Sequence, residues 1–281
     1  MAHLRTNLLP IGILLALASY AASARGQDTW SATSLASAPG SAAYIFVADG
    51  AGDFRAASKA LREAVAGEQV PLTVETFPWS HGYCRIFSDQ IDHGNVKTQS
   101  RRLAQLVLAH VTTAPHVPVS LLGHSAGCAV VLAAAEDLPA GTLQRIILLA
   151  PSVPAKYDLR PALRSVRAGM DVFSSPKDNL YLRVGMVVTN ILRPNECTPA
   201  GCTGFSPDVE TSEDGALYAK LTQYPWEPRL AWTGHYGGHF GCYQQTFLRV
   251  FVLPLLISPT CPGTVASRDR ASADRPKPPG Y

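Results

Sequence analysis

The sequence carries little charge for its length. Of its 281 residues only 16% are Asp, Glu, Lys or Arg, whereas 47% are hydrophobic. Chains that stay unfolded in water have the opposite balance, so the composition indicates a globular protein with a large interior. The formal net charge of +3 is spread along the chain apart from the C-terminal tail. This distribution argues against a nucleic-acid-binding protein.

Patterns typical of metal and nucleotide sites are also missing. The six cysteines, at positions 84, 128, 197, 202, 242 and 261, include no C-x-x-C pair and are accompanied by no paired histidine spacing. A zinc site is therefore not expected. The chain also has no Gly-rich phosphate loop followed by a Lys, and no internal repeat.

The N-terminal residues have the pattern of a secretory signal. Arg5 precedes an apolar run from Leu8 to Ala18, and the small residues Ala22 and Ala24 form an A-x-A cleavage site. A membrane anchor is the alternative, but the run is shorter than the 18 or so residues of a span. We therefore expect residues 1–24 to be a signal peptide and the exported chain, secreted or periplasmic, to begin near Arg25.

Export would place the cysteines in an oxidising compartment, where they can pair. Cys197 and Cys202 flank a short loop, and Cys242 and Cys261 flank the last apolar helix. Both pairings are hypotheses, because six cysteines allow fifteen connectivities.

Short apolar runs alternate with amphipathic stretches between two loose ends, residues 25–43 and 262–281. This alternation predicts βαβ units and a mostly parallel sheet. Two of the helices are predicted around residues 54–65, behind Asp53 as N-cap, and 103–111. The predicted strands are Tyr44–Val47, Leu72–Phe77, Val117–Leu122, Ile146–Ala150, Met170–Phe173 and Leu230–Trp232. Residues 192–228 interrupt the pattern and are predicted to be an excursion from the core.

The sharpest motif is Gly123-His124-Ser125-Ala126-Gly127, a G-x-S-x-G string that follows an apolar strand and precedes a predicted helix. A serine nucleophile in this context needs a tight turn that raises its hydroxyl above the sheet edge, and Gly123 and Gly127 leave room for that turn. The motif predicts Ser125 as a catalytic nucleophile.

Through this motif and its flanking elements, residues 44–256 resemble the α/β-hydrolase superfamily, serine esterases and lipases in particular. The resemblance implies an α/β-hydrolase fold: a mostly parallel central sheet of about six strands flanked by helices in three layers. The corresponding domain would span residues 44–261. It also implies a Ser-Asp-His triad that needs no metal, flavin or nucleotide.

The resemblance places an oxyanion loop after the first strand, at residues 49–53. This loop lacks the family's usual His-Gly pair. The expected donors are the backbone N–H groups of Ala51 and Ala126. The alternative is a plain turn capped by Asp53.

The acid and the histidine should follow the serine in that order. Asp178 lies in a turn after the strand that ends at Phe173, where the resemblance implies the acid; Asp171 and Asp158 are the alternatives. His239 precedes the closing helix and is the expected base, with His235 as the alternative. His81 and His124 are interpreted as pocket-wall residues.

Several aromatic residues could line an acyl pocket or belong to ordinary packing: Trp79, Tyr83, Phe87, Phe205 and Trp226. The sequence thus predicts an exported serine hydrolase of small-molecule or lipid esters. A thioesterase, peptidase or acyltransferase on the same fold is an alternative, because a triad does not choose its leaving group. A catalytically silent binding protein is another.

Overall fold

The computed structural model describes residues 42–178 and 198–257. Within them, six strands form one all-parallel sheet in the order β2-β1-β3-β4-β5-β6. The strands are β1 Ala43–Ala48, β2 Leu72–Thr76, β3 Val119–His124, β4 Leu143–Leu149, β5 Val166–Ser174 and β6 Leu221–Pro225. Helices cover both faces of the sheet, so the predicted fold class, an α/β sheet of the α/β-hydrolase type, is confirmed.

Most of the remaining chain is helical. The α-helices are α1 Ala56–Gly67, α2 Ile86–Ile91, α3 His93–Thr113, α4 Gly127–Glu136, α5 Arg160–Ser165, α6 Ala200–Thr203, α7 Ser212–Tyr218, α8 Gln245–Phe247 and α9 Leu253–Ile257. A π-helical turn, Leu248–Val252, joins α8 to α9. Two 3-10 helices span Pro228–Thr233 and Gly241–Tyr243. None of the helices in the described residues is long and apolar enough to cross a bilayer.

Successive side chains of the central strands point to opposite faces of the sheet. Val47 points towards α1 and the C-terminal helices, where it joins Leu61 and Phe247 in a buried cluster. Its neighbour Phe46 points to the opposite face, where its ring lies against His110 of α3. Because all these side chains are buried, the sheet is a central layer with its core on both sides.

Five of the six predicted strands are confirmed, but the one at Leu230–Trp232 is wrong. Those residues lie in a 3-10 helix that starts at Pro228, a residue suited to a first helical turn. The sixth strand is instead β6, Leu221–Pro225, inside the excursion predicted for residues 192–228. Because β6 is an edge strand with partly buried polar residues, it lacks the apolar runs of the four central strands.

The expected cap of α1 also differs. The Asp53 side chain binds Arg55, whereas Asp49 Oδ1 accepts the N–H groups of Ala57 and Ser58 at 2.8 and 3.1 Å. Asp49 therefore satisfies the open helix end from the loop that follows β1.

Several predictions fall outside the described residues. They are the signal peptide over residues 1–24, most of the N-terminal segment 25–43 and the tail 262–281. Both predicted disulfides, Cys197–Cys202 and Cys242–Cys261, also have one partner there.

Candidate active site

Ser125 lies on a sharp turn between β3 and α4, at the carboxyl end of the central strand. Its backbone has φ 53°, in the left-handed region that costs a residue with a side chain about 1–3 kcal/mol. The Ser125 backbone makes three hydrogen bonds: its N–H donates to the Leu149 carbonyl at 2.9 Å, and its carbonyl accepts from the N–H groups of Cys128 and Ser152, both at 3.1 Å. This is the strand-turn-helix geometry that the G-x-S-x-G motif predicts.

The two motif glycines are required by space. A Cβ on Gly127 would lie 2.2 Å from the Ala48 carbonyl oxygen, and one on Gly123 would lie 2.7 Å from Cys128 Cα. Both distances are to backbone atoms, which cannot turn away as a side chain can. The close approach of α4 to β1 therefore depends on glycine at position 127.

Asp178 and His239 lie in contact. His239 Nδ1 is 2.7 Å from Asp178 Oδ2, and the two side chains are 6% and 2% exposed. Burial raises the pKa of Asp178, and the hydrogen bond with His239 opposes that rise. Since Asp178 engages Nδ1, the imidazole would take a proton from another group through Nε2.

The loops that carry the acid and the histidine are also tied together. Asp178 follows β5, in a turn where its N–H donates to the Ser175 carbonyl at 3.0 Å. Ser175 Oγ in turn donates to the Gly237 carbonyl at 2.6 Å, two residues before His239. This bond fixes the spacing of the two loops.

His124 connects this pair to the serine. It precedes Ser125, its ring centroid is 4.9 Å from that of His239, and its Nε2 is 3.4 Å from the His239 carbonyl oxygen. Burial, together with the neighbouring His239, lowers the pKa of His124 to about 3. His124 is therefore neutral at pH 7 and can donate Nε2–H to that carbonyl.

The alternative acids have other partners. Asp171 is fully buried, paired with Arg145 of β4, and accepts a hydrogen bond from Tyr224 Oη at 3.0 Å. Asp158 binds Arg160 at the surface. Of the three candidates, Asp178 is the one in contact with His239.

The alternative base, His235, is packed inside its loop. Its Nδ1 accepts from Gly237 N–H at 3.2 Å, and its carbonyl accepts from Trp226 Nε1 at 2.7 Å. Burial lowers its pKa to about 4. These contacts indicate that His235 stabilises the loop by packing inside it.

The predicted oxyanion loop lies beside the serine. A Cβ on Gly50 would be 3.3 Å from Ser125 Cβ, so the backbone after β1 runs next to Ser125. The structure shows no hydrogen-bond acceptor among residues 42–178 and 198–257 for the N–H groups of Ala51 and Ala126. Both are therefore free to bind a developing oxyanion if they face it.

The five aromatic candidates divide into two groups. Trp79, Phe205 and Trp226 are buried, and both tryptophans donate to backbone carbonyls, which is a packing role. Tyr83 and Phe87 are 51% and 62% exposed, and Tyr83 packs against Phe54, the residue that follows the predicted oxyanion loop.

Sequence reasoning missed the role of Asp89. This buried carboxylate accepts hydrogen bonds from Gly52 in the oxyanion loop and from Ser80 and His81 in the loop after β2. His81, interpreted from the sequence as a pocket wall, instead bridges Asp89 and Asp92. A single acid in a six-residue helix gives no signal in the sequence.

No group of three or more His, Cys, Asp or Glu side chains in the described part of the chain is arranged to hold a metal ion.

No protein-family model and no curated protein matches the chain. Solved structures do. A cutinase from Trichoderma reesei, bound to a phosphonate inhibitor, is 17% identical over 56% of this chain and 78% of its own, with a TM-score of 0.37. A serine hydrolase without lid from Xanthomonas campestris is 20% identical over 74% and 78%, with a TM-score of 0.40. The catalytic core of a Trichoderma reesei acetyl xylan esterase is 13% identical over 74% and 98%, with a TM-score of 0.36. Similarities this low do not assign an activity to this chain.

Proposed function

We propose that this protein is an exported serine hydrolase that cleaves carboxylic esters through Ser125, His239 and Asp178. The observation that carries the proposal is the buried 2.7 Å contact between His239 and Asp178. His124, the residue before Ser125, contacts His239: its Nε2 is 3.4 Å from the His239 carbonyl oxygen, and the two ring centroids are 4.9 Å apart. A nucleophile, a base and an acid that orients the base are the three parts of a serine hydrolase triad.

In the proposed reaction, His239 Nε2 takes the hydroxyl proton of Ser125 as Oγ attacks the ester carbonyl. The backbone N–H groups of Ala51 and Ala126 stabilise the oxyanion of the tetrahedral intermediate. The imidazolium then gives its proton to the leaving alcohol, and an acyl-enzyme remains on Ser125. Water, deprotonated by His239, then attacks this ester; the imidazolium returns the proton to Ser125 Oγ as its bond to the acyl group breaks and the acid is released. Asp178 holds the ring orientation and stabilises the imidazolium throughout.

Export forms part of the proposal through the predicted signal at residues 1–24. N-terminal sequencing of the protein from its native host should find a chain that starts near Arg25. Retention of Met1 on membrane-bound protein would instead support the anchor alternative.

A fluorophosphonate probe tests the nucleophile directly, because it reacts covalently with an activated serine. We expect the purified mature protein to be labelled and Ser125→Ala to be unlabelled. Ser206→Ala, which removes an exposed serine, is the matched control and should label like the wild type. A folded wild type that takes no label would support the silent binding protein instead.

The leaving group is tested separately. Wild-type enzyme that has not been treated with the probe should hydrolyse p-nitrophenyl esters, and a panel of increasing acyl length would define the preferred chain length. Faster turnover of matched thioesters or peptides would move the assignment to a thioesterase or peptidase, and transfer of the acyl group to an added alcohol would indicate an acyltransferase.

A further inference from the structure

The loop after β1 has to be rigid if its amides are to stabilise an oxyanion. Preorganised donors work because they need no rearrangement as charge develops in the transition state. Residues 50–52, however, include two glycines, and Gly52 has φ +91°. A glycine-containing loop of this kind is intrinsically mobile. Its conformation must therefore be fixed by other parts of the molecule.

Asp89 of α2 is the residue that binds this loop from outside. Its side chain is fully buried and accepts four hydrogen bonds. Oδ2 accepts from Gly52 N–H at 2.7 Å and Ser80 Oγ at 2.6 Å; Oδ1 accepts from the backbone N–H of His81 at 2.8 Å and lies 2.8 Å from its Nδ1. One carboxylate thus joins the oxyanion loop to the loop after β2.

Further contacts hold the same loop on either side of Ala51. The Gly52 carbonyl accepts from Cys84 N–H at 3.0 Å, and the Asp49 carbonyl accepts from Trp79 Nε1 at 2.7 Å. With Asp89, these bonds fix residues 49 and 52 and leave the N–H of Ala51 between two anchored positions. Asp89 is the one charged group among these anchors, and hydrogen bonds to a charged acceptor are the stronger kind.

We propose that Asp89 is a positioning residue that fixes the oxyanion loop so that its amides face the intermediate on Ser125. This role rests on the proposed function. Asp89 acts through Gly52 and does not touch the substrate. His81 contacts the carboxylate through both its backbone N–H and Nδ1 and so keeps it oriented.

The substitution Asp89→Asn separates this role from simple packing. Asparagine has nearly the same shape, but its amide nitrogen donates, so it cannot replace both acceptor oxygens. The amide NH₂ of the asparagine then faces one pair of donors: either the Gly52 N–H and Ser80 Oγ, or the backbone N–H and Nδ1 of His81. The hydrogen bonds of that pair are lost. We expect kcat for a p-nitrophenyl ester to fall about 10- to 100-fold while KM changes less than about threefold, because the lost interaction acts in the transition state.

Asp92→Asn is the matched control. Asp92 also binds His81 and caps α3, but it has no contact with the oxyanion loop among the described residues. Because asparagine caps a helix about as well as aspartate, we expect this variant to keep its thermal stability and a kcat within about threefold of wild type. An equal fall of kcat in both variants would overturn the proposal, because general loosening would then explain the effect.

A boronic acid inhibitor gives a second readout, since it forms a tetrahedral adduct with an activated serine. Its affinity should fall in Asp89→Asn by about the same factor as kcat and stay unchanged in Asp92→Asn. If Asp89→Asn does not fold, Ser80→Ala replaces it, because this change keeps the carboxylate and removes one of the donors that orient it. We expect kcat to fall at least about threefold.

Unchanged kcat and unchanged boronate affinity in the folded variant would overturn the role of Asp89 while leaving the proposed function intact. An inactive, unlabelled wild type would overturn the proposed function and this role with it. The two failures are therefore told apart by the wild type alone.

Discussion

Asp178 Oδ2 and His239 Nδ1 meet at 2.7 Å across 61 residues of sequence. Because the pair is buried, the carboxylate sets which imidazole nitrogen carries the proton. Asp178→Asn would keep the shape but favour the wrong tautomer. We expect kcat for ester hydrolysis to fall by about 10³- to 10⁴-fold with little change in melting temperature. Steady-state kinetics together with thermal unfolding measure both quantities.

Asp171→Asn is the matched control, since Asp171 is the other fully buried candidate acid. Its loss would leave the charge of Arg145 inside the sheet without its carboxylate partner. Breaking such a pair costs about 3–5 kcal/mol in the free energy of unfolding. We expect this variant to be much less stable, and to keep kcat where it remains folded. The opposite pattern in the two variants would assign the acid to Asp171.

The glycines of the G-x-S-x-G turn, Gly123 and Gly127, lead to a prediction about stability. A Cβ at position 127 would lie 2.2 Å from the Ala48 carbonyl oxygen, so β1 and α4 must separate in Gly127→Ala. We expect a loss of more than about 3 kcal/mol, or no soluble protein at all.

The comparison for this variant is Gly67→Ala, at the end of α1. A Cβ there meets nothing within 4 Å. Because alanine favours helix, we expect stability to stay the same or rise by up to about 1 kcal/mol. Chemical denaturation of the two variants is the measurement, and equal stabilities would contradict the packing argument.

The parts of the fold that depend on apolar patterns and on the G-x-S-x-G motif could be predicted from the sequence. The four central strands β1, β3, β4 and β5 carry buried apolar runs, and the edge strand β2 alternates the apolar Leu72 and Val74 with polar residues. Gly123 and Gly127 mark the turn. The edge strand β6 was missed because its partly buried polar residues resemble a loop. The network around Asp89 was missed for a different reason: its partners lie up to 37 residues away, and only the folded chain brings them together. The catalytic roles of Ser125, Asp178 and His239 remain predictions.

The lowered pKa of His235 leads to a prediction of how the free energy of unfolding depends on pH. Burial lowers its folded pKa to about 4, whereas an unfolded histidine has a pKa of about 6.5. Between these values the unfolded chain binds a proton that the folded chain does not. The titration of His235 therefore leaves the free energy of unfolding unchanged above about pH 6.5 and lowers it as the pH falls towards 4. We expect a loss of about 2–3 kcal/mol over that interval from His235.

His235→Asn tests this expectation, because an amide oxygen can still accept from Gly237 while the titrating group is gone. Urea denaturation at pH 7.5 and pH 5 should show a smaller difference in the free energy of unfolding than in the wild type. The variant should also keep its esterase activity, which His239→Ala should lose. An inactive His235→Asn with an active His239→Ala would transfer the role of base to His235.

The last prediction concerns residues 199–205, which lie over the carboxyl ends of β4 and β5. The Gly201 carbonyl accepts from Ser175 N–H at 2.7 Å, in the turn that carries Asp178. Gln223 of β6 binds both the N–H and the carbonyl of Phe205, at 2.6 and 3.0 Å. Loops at this edge of an open α/β sheet shape specificity.

If this segment forms a wall of the acyl pocket, Gln223→Ala should loosen it by releasing Phe205. We expect KM for long-chain esters to change by about three- to tenfold, while acetate ester kinetics stay close to wild type. Thr211→Ala is the control, because it removes the capping box of α7 at a cost of about 1 kcal/mol without freeing Phe205. A folded Gln223→Ala with unchanged kinetics across the ester panel would place the acyl pocket elsewhere, since a released wall cannot leave every chain length bound as before.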